Sequence, residues 1–310
     1  MSRAPHLTQV SAGRRTRRRR HYLMCAPRYF EVTYAINPWM DPSVPVDPDR
    51  ALAQWLRLVD VYRRLGHRVD LLDPVPGLPD MVFAANGSTV IDGRVLTASF
   101  VAPQRRAEAA HHAAWHRAHG SSYRQQLQQP PSAVNEAEGD FAVLADVVLA
   151  GYGFRTTLDA HAELGRLTGR EVVSLELVDP RFYHLDVALC VLDDRRHHIA
   201  YLPEAFSPES RQILIDRFPD AIIAGVDDAL AFGLNAVSDG RHVILPPGPD
   251  AFAAALTSAG YQPIFVDLSE LAKGGGSVKC CTQEIRPARR PALGRTPPAA
   301  PTTSPAPQRL

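Results

Sequence analysis

Two rhythms of apolar and polar positions alternate along this chain. Short β-branched or apolar runs predict strands at Arg68–Leu72, Ser88–Ile91, Val95–Ala98, Phe141–Leu149, Glu171–Leu175, Val187–Leu192, His198–Tyr201, Ala221–Gly225, His242–Leu245 and Gln262–Asp267. Apolar residues at helical spacing predict helices over Pro48–Leu65, Gln104–Arg117, Thr157–Leu167, Pro208–Phe218 and Asp250–Ala259. Pro48 and Pro208 stand where a first helical turn tolerates proline, and Gly66 and Gly260 stand where helices end. His21–Phe30 reads as a strand interrupted by Pro27, Cys280–Ile285 as a buried strand, and Gln125–Ser132 as a loop.

Alternating strands and helices place the chain in the α/β class, and a doubly wound sheet is the first architecture to consider. Two features argue against it. No G-x-G-x-x-G or P-loop pattern follows a strand, so neither a dinucleotide nor a nucleotide site is signalled. Asp92-Gly93 between Ser88–Ile91 and Val95–Ala98 is a hairpin turn, which breaks a parallel pattern. Each helix comes with two or three short strands, and the unit recurs about every fifty residues. That spacing predicts a radial repeat of small α/β modules.

Composition narrows the class further. Hydrophobic content of 45%, charged content of 22% and a net charge of +1 describe a globular protein without an overall nucleic-acid-binding surface. No apolar run is long enough to span a membrane. Four irregularly spaced cysteines predict no disulfide framework and point to a reducing cytoplasm. The arginines between Arg14 and Arg20 read as a disordered leader more readily than as an RNA- or lipid-binding arm, and no signal-peptide core follows them. The Pro/Ala-rich end reads as disordered. The expected domains are a basic tail over 1–20, one catalytic domain over 21–286, and a second tail over 287–310.

Several polar motifs interrupt the apolar pattern. Gly274-Gly275-Gly276 leads through Ser277-Val278-Lys279 to Cys280-Cys281. A glycine loop lets backbone approach a substrate, and a cysteine beside a lysine can be held as the nucleophilic thiolate. The alternative is a turn entering a strand, with the cysteines as small hydrophobes. His184 and Asp186, two apart in Tyr183-His184-Leu185-Asp186-Val187, would share one strand face; they are a proton-transfer pair or an ordinary polar pair. Asn135-Glu136-Ala137-Glu138-Gly139-Asp140 places three acids around a glycine, either to orient a histidine and hold a cation or as a solvated turn. Asn37 and Asn86 occupy turn-like contexts. Arg105 and Arg155 are either surface residues or clamps for a carboxylate.

Together these motifs resemble the guanidine-modifying (pentein) superfamily, which includes arginine deiminases, dimethylargininases, amidinotransferases and arginine dihydrolases. The resemblance covers roughly 21–286, with Asp80, the Glu-x-x-Gly-Asp block, His-Leu-Asp and the glycine-loop cysteine in the family's order. It implies a five-bladed α/β propeller of ββαβ modules with the site on the pseudo-fivefold axis. It also implies that Cys280 is the nucleophile, His184 the general acid/base and Glu136 its orienting acid, with Glu138 an alternative because the block carries an extra residue. Asp186, Asn86, Asn37, Asp80 and Asp140 are assigned to substrate binding, and Arg105 and Arg155 to the substrate α-carboxylate. Cys281, by strand alternation from Cys280, would point into packing.

Asn86 stands where deiminases carry an aspartate. An amide donates as well as accepts, so it suits a neutral ureido group, and this resembles the arginine dihydrolase branch. The implied reaction is attack of Cys280 on a guanidinium carbon, a covalent thiouronium and hydrolysis, without metal or organic cofactor. The expected partners are a small guanidino substrate and, as an option, further copies of the chain in a homo-oligomer, with no nucleic acid and no membrane. Arginine dihydrolase giving ornithine, ammonia and carbon dioxide is the first reading. Dimethylargininase, a citrulline-forming deiminase and a non-catalytic arginine sensor are the alternatives.

Overall fold

The computed structural model describes residues 15–123, 126–128 and 131–288. Its strands form five three-stranded sheets, and all five share one wiring: an antiparallel pair, then a middle strand running parallel to a third. In each sheet a helix carries the chain from the middle strand to the third, as a parallel connection requires. The helices are Pro48–Arg64, Glu108–Tyr123, Leu158–Thr168, Pro208–Arg217 and Asp250–Ser258.

Four sheets are each built from one continuous stretch of chain. The remaining one joins the two ends of the domain: His21–Cys25 pairs in parallel with Arg68–Leu72 and antiparallel with Gln283–Glu284, Tyr22 facing Glu284. This pairing brings the segment that carries Cys280 back against the first strand.

Local chemistry accounts for the elements. Asp47 caps the first helix by accepting from Arg50 N at 3.0 Å, Pro48 fills its first turn, and Ala51, Trp55, Leu58, Val59 and Tyr62 form its buried face. Asp92 and Gly93 both have positive φ, 50° and 79°, as a two-residue hairpin demands.

Three expected elements differ. Phe141–Leu149 is not one strand but a hairpin, Phe141–Val143 against Val147–Tyr152, because Ala145 and Asp146 make a turn within the apolar run. Gln126–Gln128, read as loop, is a third strand beside Arg94–Thr97, since backbone pairing needs no apolar side chain. Cys280–Ile285 is a turn through Cys281 followed by the short strand Gln283–Glu284.

The leader expected over 1–20 is described only from residue 15. There Arg18 pairs with Asp193 and Asp194, and Arg20 with Asp194 and Glu284. Residues 1–14 and 289–310 lie outside the described residues. Among the described residues no helix is long and apolar enough to cross a membrane.

Candidate active site

Each sheet's first strand is entered through a short turn. Ala84–Asn86 precedes Ser88–Ile91, Ala137–Gly139 precedes Phe141–Val143, and Leu185–Val187 precedes Leu189–Asp193. Asn235 precedes Val237–Ser238, and the Cys280 turn precedes Gln283–Glu284. The turns meet. Ala85 N donates to Cys280 O at 3.0 Å, Lys279 N to Asn235 O at 3.1 Å, and Asn235 Nδ2 to Asp186 O at 3.0 Å.

A small cavity lies among them, lined by Asn37, Asp80, Asn86, Arg105, Arg155 and Cys280, together with Ile36, Phe83, Tyr183, Gly274 and Gly276. Six residues singled out from the sequence thus line one space. Its free volume is about 10 Å³, room for about one water. Admitting an amino acid requires the walls to part. One wall is the irregular segment 26–47, held by Arg155 Nη2 donating to Ile36 O at 2.5 Å, Asn37 Nδ2 to Gly274 O at 3.1 Å, and Tyr34 to Asp80 Oδ2 at 2.9 Å.

The glycine loop is required by close packing. Gly275 has φ +86°, and a Cβ there would stand 2.6 Å from Asn37 Oδ1; one on Gly276 would stand 2.6 Å from the Phe83 ring. Beyond the loop, Cys280 is buried and its Sγ lies 3.2 Å from Asp186 Oδ2, the thiol donating to the carboxylate. Burial, then the charge of Asp186, push the Cys280 thiol well above its ordinary value. Cys281 is fully buried in the core, as expected, but the geometry is that of a turn and strand alternation does not apply. All four cysteines are buried free thiols.

His184 caps the turn Leu185–Val187, so His184 and Asp186 do not share a strand face. His184 Nε2 lies 2.8 Å from Glu136 Oε2, and Glu136 also receives Arg155 Nη1 at 3.1 Å on both oxygens. Burial alone would raise the Glu136 carboxyl, but the His184 contact and the Arg155 guanidinium outweigh it and hold it at about 2. Glu138 faces elsewhere: its carboxylate receives Lys279 Nζ at 3.0 Å and Arg286 at 2.6 Å. The geometry pairs Glu136, not Glu138, with the histidine.

Asp140 sits behind the cavity wall, accepting from Thr156 Oγ1 at 2.6 Å and from Leu185 N at 3.1 Å, and burial pushes its carboxyl up to about 6. It braces the His184 turn and is not among the residues lining the cavity. Arg105 gives one edge of its fork, Nε and Nη2, to Glu108, at 3.0 and 2.9 Å, and Nη1 to Asn86 Oδ1 at 2.9 Å. Among the described residues Asn86 Nδ2 has no partner, and it packs over Gly139, where a Cβ would also stand 3.2 Å from the His184 ring. Glu108, Tyr34, Tyr183 and Asn235 escaped the sequence reading. Only Asn235, a polar residue between apolar Leu234 and Ala236, left a signal there.

Of the described acids only Asp80 lines the cavity; Asp186 stands behind the Cys280 sulfur, Glu108 and Glu136 are each paired with an arginine of the lining, and His184 is not among the lining residues. A buried cysteine held by a carboxylate and a histidine paired with another carboxylate are groups able to supply a nucleophile and a proton carrier.

Comparison with known proteins agrees. N(G),N(G)-dimethylarginine dimethylaminohydrolase of Mycobacterium tuberculosis is 54% identical over 277 residues, 89% of this chain and 89% of that protein. AgrE of Nostoc, a bifunctional arginine dihydrolase/ornithine cyclodeaminase, is 35% identical over 269 residues, 85% of this chain and 37% of AgrE. The substrate-bound N-terminal domain of ArgZ, a cyanobacterial arginine dihydrolase, matches with a TM-score of 0.81 at 33% identity, covering 87% of this chain and 100% of that domain. No family model matches the chain.

Fold and site thus define a hydrolase of the guanidine-modifying class. The chain belongs to the pentein family that holds the dimethylarginine dimethylaminohydrolases and the arginine dihydrolases.

Proposed function

We propose that this enzyme is an arginine dihydrolase, converting arginine to ornithine, ammonia and carbon dioxide. The observation that carries this reading is the Asn86 amide, pinned by Arg105 so that its unpartnered Nδ2 lies beside Gly139 and His184. A donor there suits the carbonyl oxygen of a ureido group, the product of the first hydrolysis, and suits a guanidinium poorly. The dihydrolases AgrE and ArgZ among the relatives support the same reading.

Cys280 Sγ, once deprotonated, attacks the guanidinium carbon. His184, oriented by Glu136, protonates the departing ammonia as the C–N bond breaks, leaving a thiouronium on sulfur. Water deprotonated by His184 then attacks the same carbon, and sulfur leaves as thiolate. A second round on the ureido carbon releases ornithine, with ammonia and carbon dioxide from the detached fragment. Asp80 and Asp186 hold the cationic end; Arg155, freed from Ile36 O once the segment 26–47 parts from the cavity, receives the α-carboxylate, with Arg105 beside it still held by Glu108 and Asn86.

Dimethylargininase is the second reading, favoured by the 54% identity to the enzyme of that name. A non-catalytic sensor has no support among these relatives. In this reading residues 21–286 are one catalytic domain, and the five sheets stand as five blades around the site. Incubation with arginine and with dimethylarginine, followed by mass analysis, tests it. Ornithine from arginine is expected; citrulline with dimethylamine, and no ornithine, would favour the second reading.

A further inference from the structure

Asn235 is fully buried and makes five side-chain contacts, all directed at the Cys280 turn or at the Asp186 turn. Its Oδ1 accepts from three backbone N–H groups, Ser277 and Lys279 at 3.0 Å and Cys280 at 3.2 Å. Only an oxygen can face three donors, so the amide has one orientation. Nδ2 must then face the other way, where it lies 3.0 Å from Asp186 O and 3.0 Å from Cys280 Sγ.

The sulfur therefore has two side-chain neighbours of opposite character. Asp186 Oδ2 is an acceptor and binds the S–H form. Asn235 Nδ2 is a donor, and a donor interacts more strongly with a thiolate than with a thiol. Burial and the Asp186 charge both oppose ionisation of Cys280, so a buried donor on the sulfur acts against the local field.

We infer that Asn235 is a further catalytic residue: its oxygen shapes the Cys280 turn, and its amide N–H stabilises the sulfur as thiolate. The inference rests on the reading of Cys280 as nucleophile and adds the group that supports its charged form.

Two variants separate the donor from the shaping role. Asn235→Asp keeps an oxygen for the three N–H groups and turns an acceptor toward sulfur. Asn235→Ser is neutral and too short to reach the sulfur. Each is compared with the wild-type protein by the rate of Cys280 alkylation with iodoacetamide as a function of pH, located by peptide mass, with circular dichroism confirming the fold.

Both variants are expected to alkylate Cys280 about tenfold more slowly at pH 8 or slower, with the midpoint moved up by about one unit. Either variant, folded and with a wild-type midpoint, overturns the role of Asn235 while leaving the nucleophile in place. If one does not fold, the other decides alone. Wild-type Cys280 without any pH-dependent alkylation overturns both readings. Should neither variant fold, Asn235→Gln, with its amide displaced by one methylene, is measured in the same way; its unmoved midpoint also overturns the role.

Discussion

Arg105 Nη1 donates to Asn86 Oδ1 at 2.9 Å, and that contact decides which end of the Asn86 amide faces the site. A guanidinium has donors only, so the amide oxygen must turn toward it and the NH₂ away. Two residues that looked separate in the sequence, a carboxylate clamp and a substrate-binding turn, are mechanically one unit. Glu108 holds the other side of the same guanidinium, so the unit is anchored in the helix Glu108–Tyr123.

Asn86→Asp should convert the enzyme to single hydrolysis. A carboxylate pairs with Arg105 and with a guanidinium but cannot donate to a ureido oxygen. Citrulline is expected to accumulate from arginine while ornithine falls by about tenfold or more, the effect of one lost buried hydrogen bond. Product analysis by mass checks this, and an undiminished ornithine yield would refute the role given to Asn86.

Glu136→Gln should lower turnover by about 10²-fold or more, because His184 loses its charged partner. It should also change acid stability. The Glu136 carboxyl sits at about 2 in the fold against an ordinary 4.5, so its contribution is complete above pH 4.5 and disappears as pH falls toward 2. The shift corresponds to about 3 kcal/mol at neutral pH, an order-of-magnitude figure. Thermal melts of both proteins between pH 7 and pH 3 should show the wild-type advantage narrowing in acid. Asp140, raised to about 6, works in the opposite direction; the Glu136 charge is one of the causes that raise it, so its opposing contribution is smaller in the variant and offsets part of the difference at neutral pH.

Cys280→Ser should abolish turnover and leave the fold intact, whereas Cys281→Ala should retain turnover and lose about 1 kcal/mol of stability to a small void. Product assays and urea unfolding on the two variants provide the check. An active Cys280→Ser protein would remove the nucleophile assignment.

Gly275→Ala should destabilise the protein by at least about 1 kcal/mol, since alanine resists φ +86° and its Cβ would meet Asn37. Activity should fall further than stability accounts for, because Asn37 lines the cavity and holds the segment 26–47 to Gly274 O. Urea denaturation and steady-state kinetics on the same preparation separate the two effects.

The amino-acid sequence alone determined the alternation of strands and helices, the five principal helices, the glycine loop ahead of Cys280, and the residues Asn37, Asp80, Asn86, Arg105, Arg155 and Cys280 that now line one cavity. These are local signals: periodicity, capping and turn chemistry act within a few residues. Partner choice does not. Glu136 and Glu138 are chemically alike and two positions apart, and only the approach of His184, from far along the chain, gave the histidine to one, while Lys279 and Arg286 claimed the other. The hairpin within Phe141–Leu149 and the strand Gln126–Gln128 likewise exist through pairing with other chain segments. Asn235 carried almost no local signal. It matters because the fold sets the turn before the last complete sheet against the Cys280 turn, and hydrogen bonds over that distance in sequence are made by tertiary structure alone.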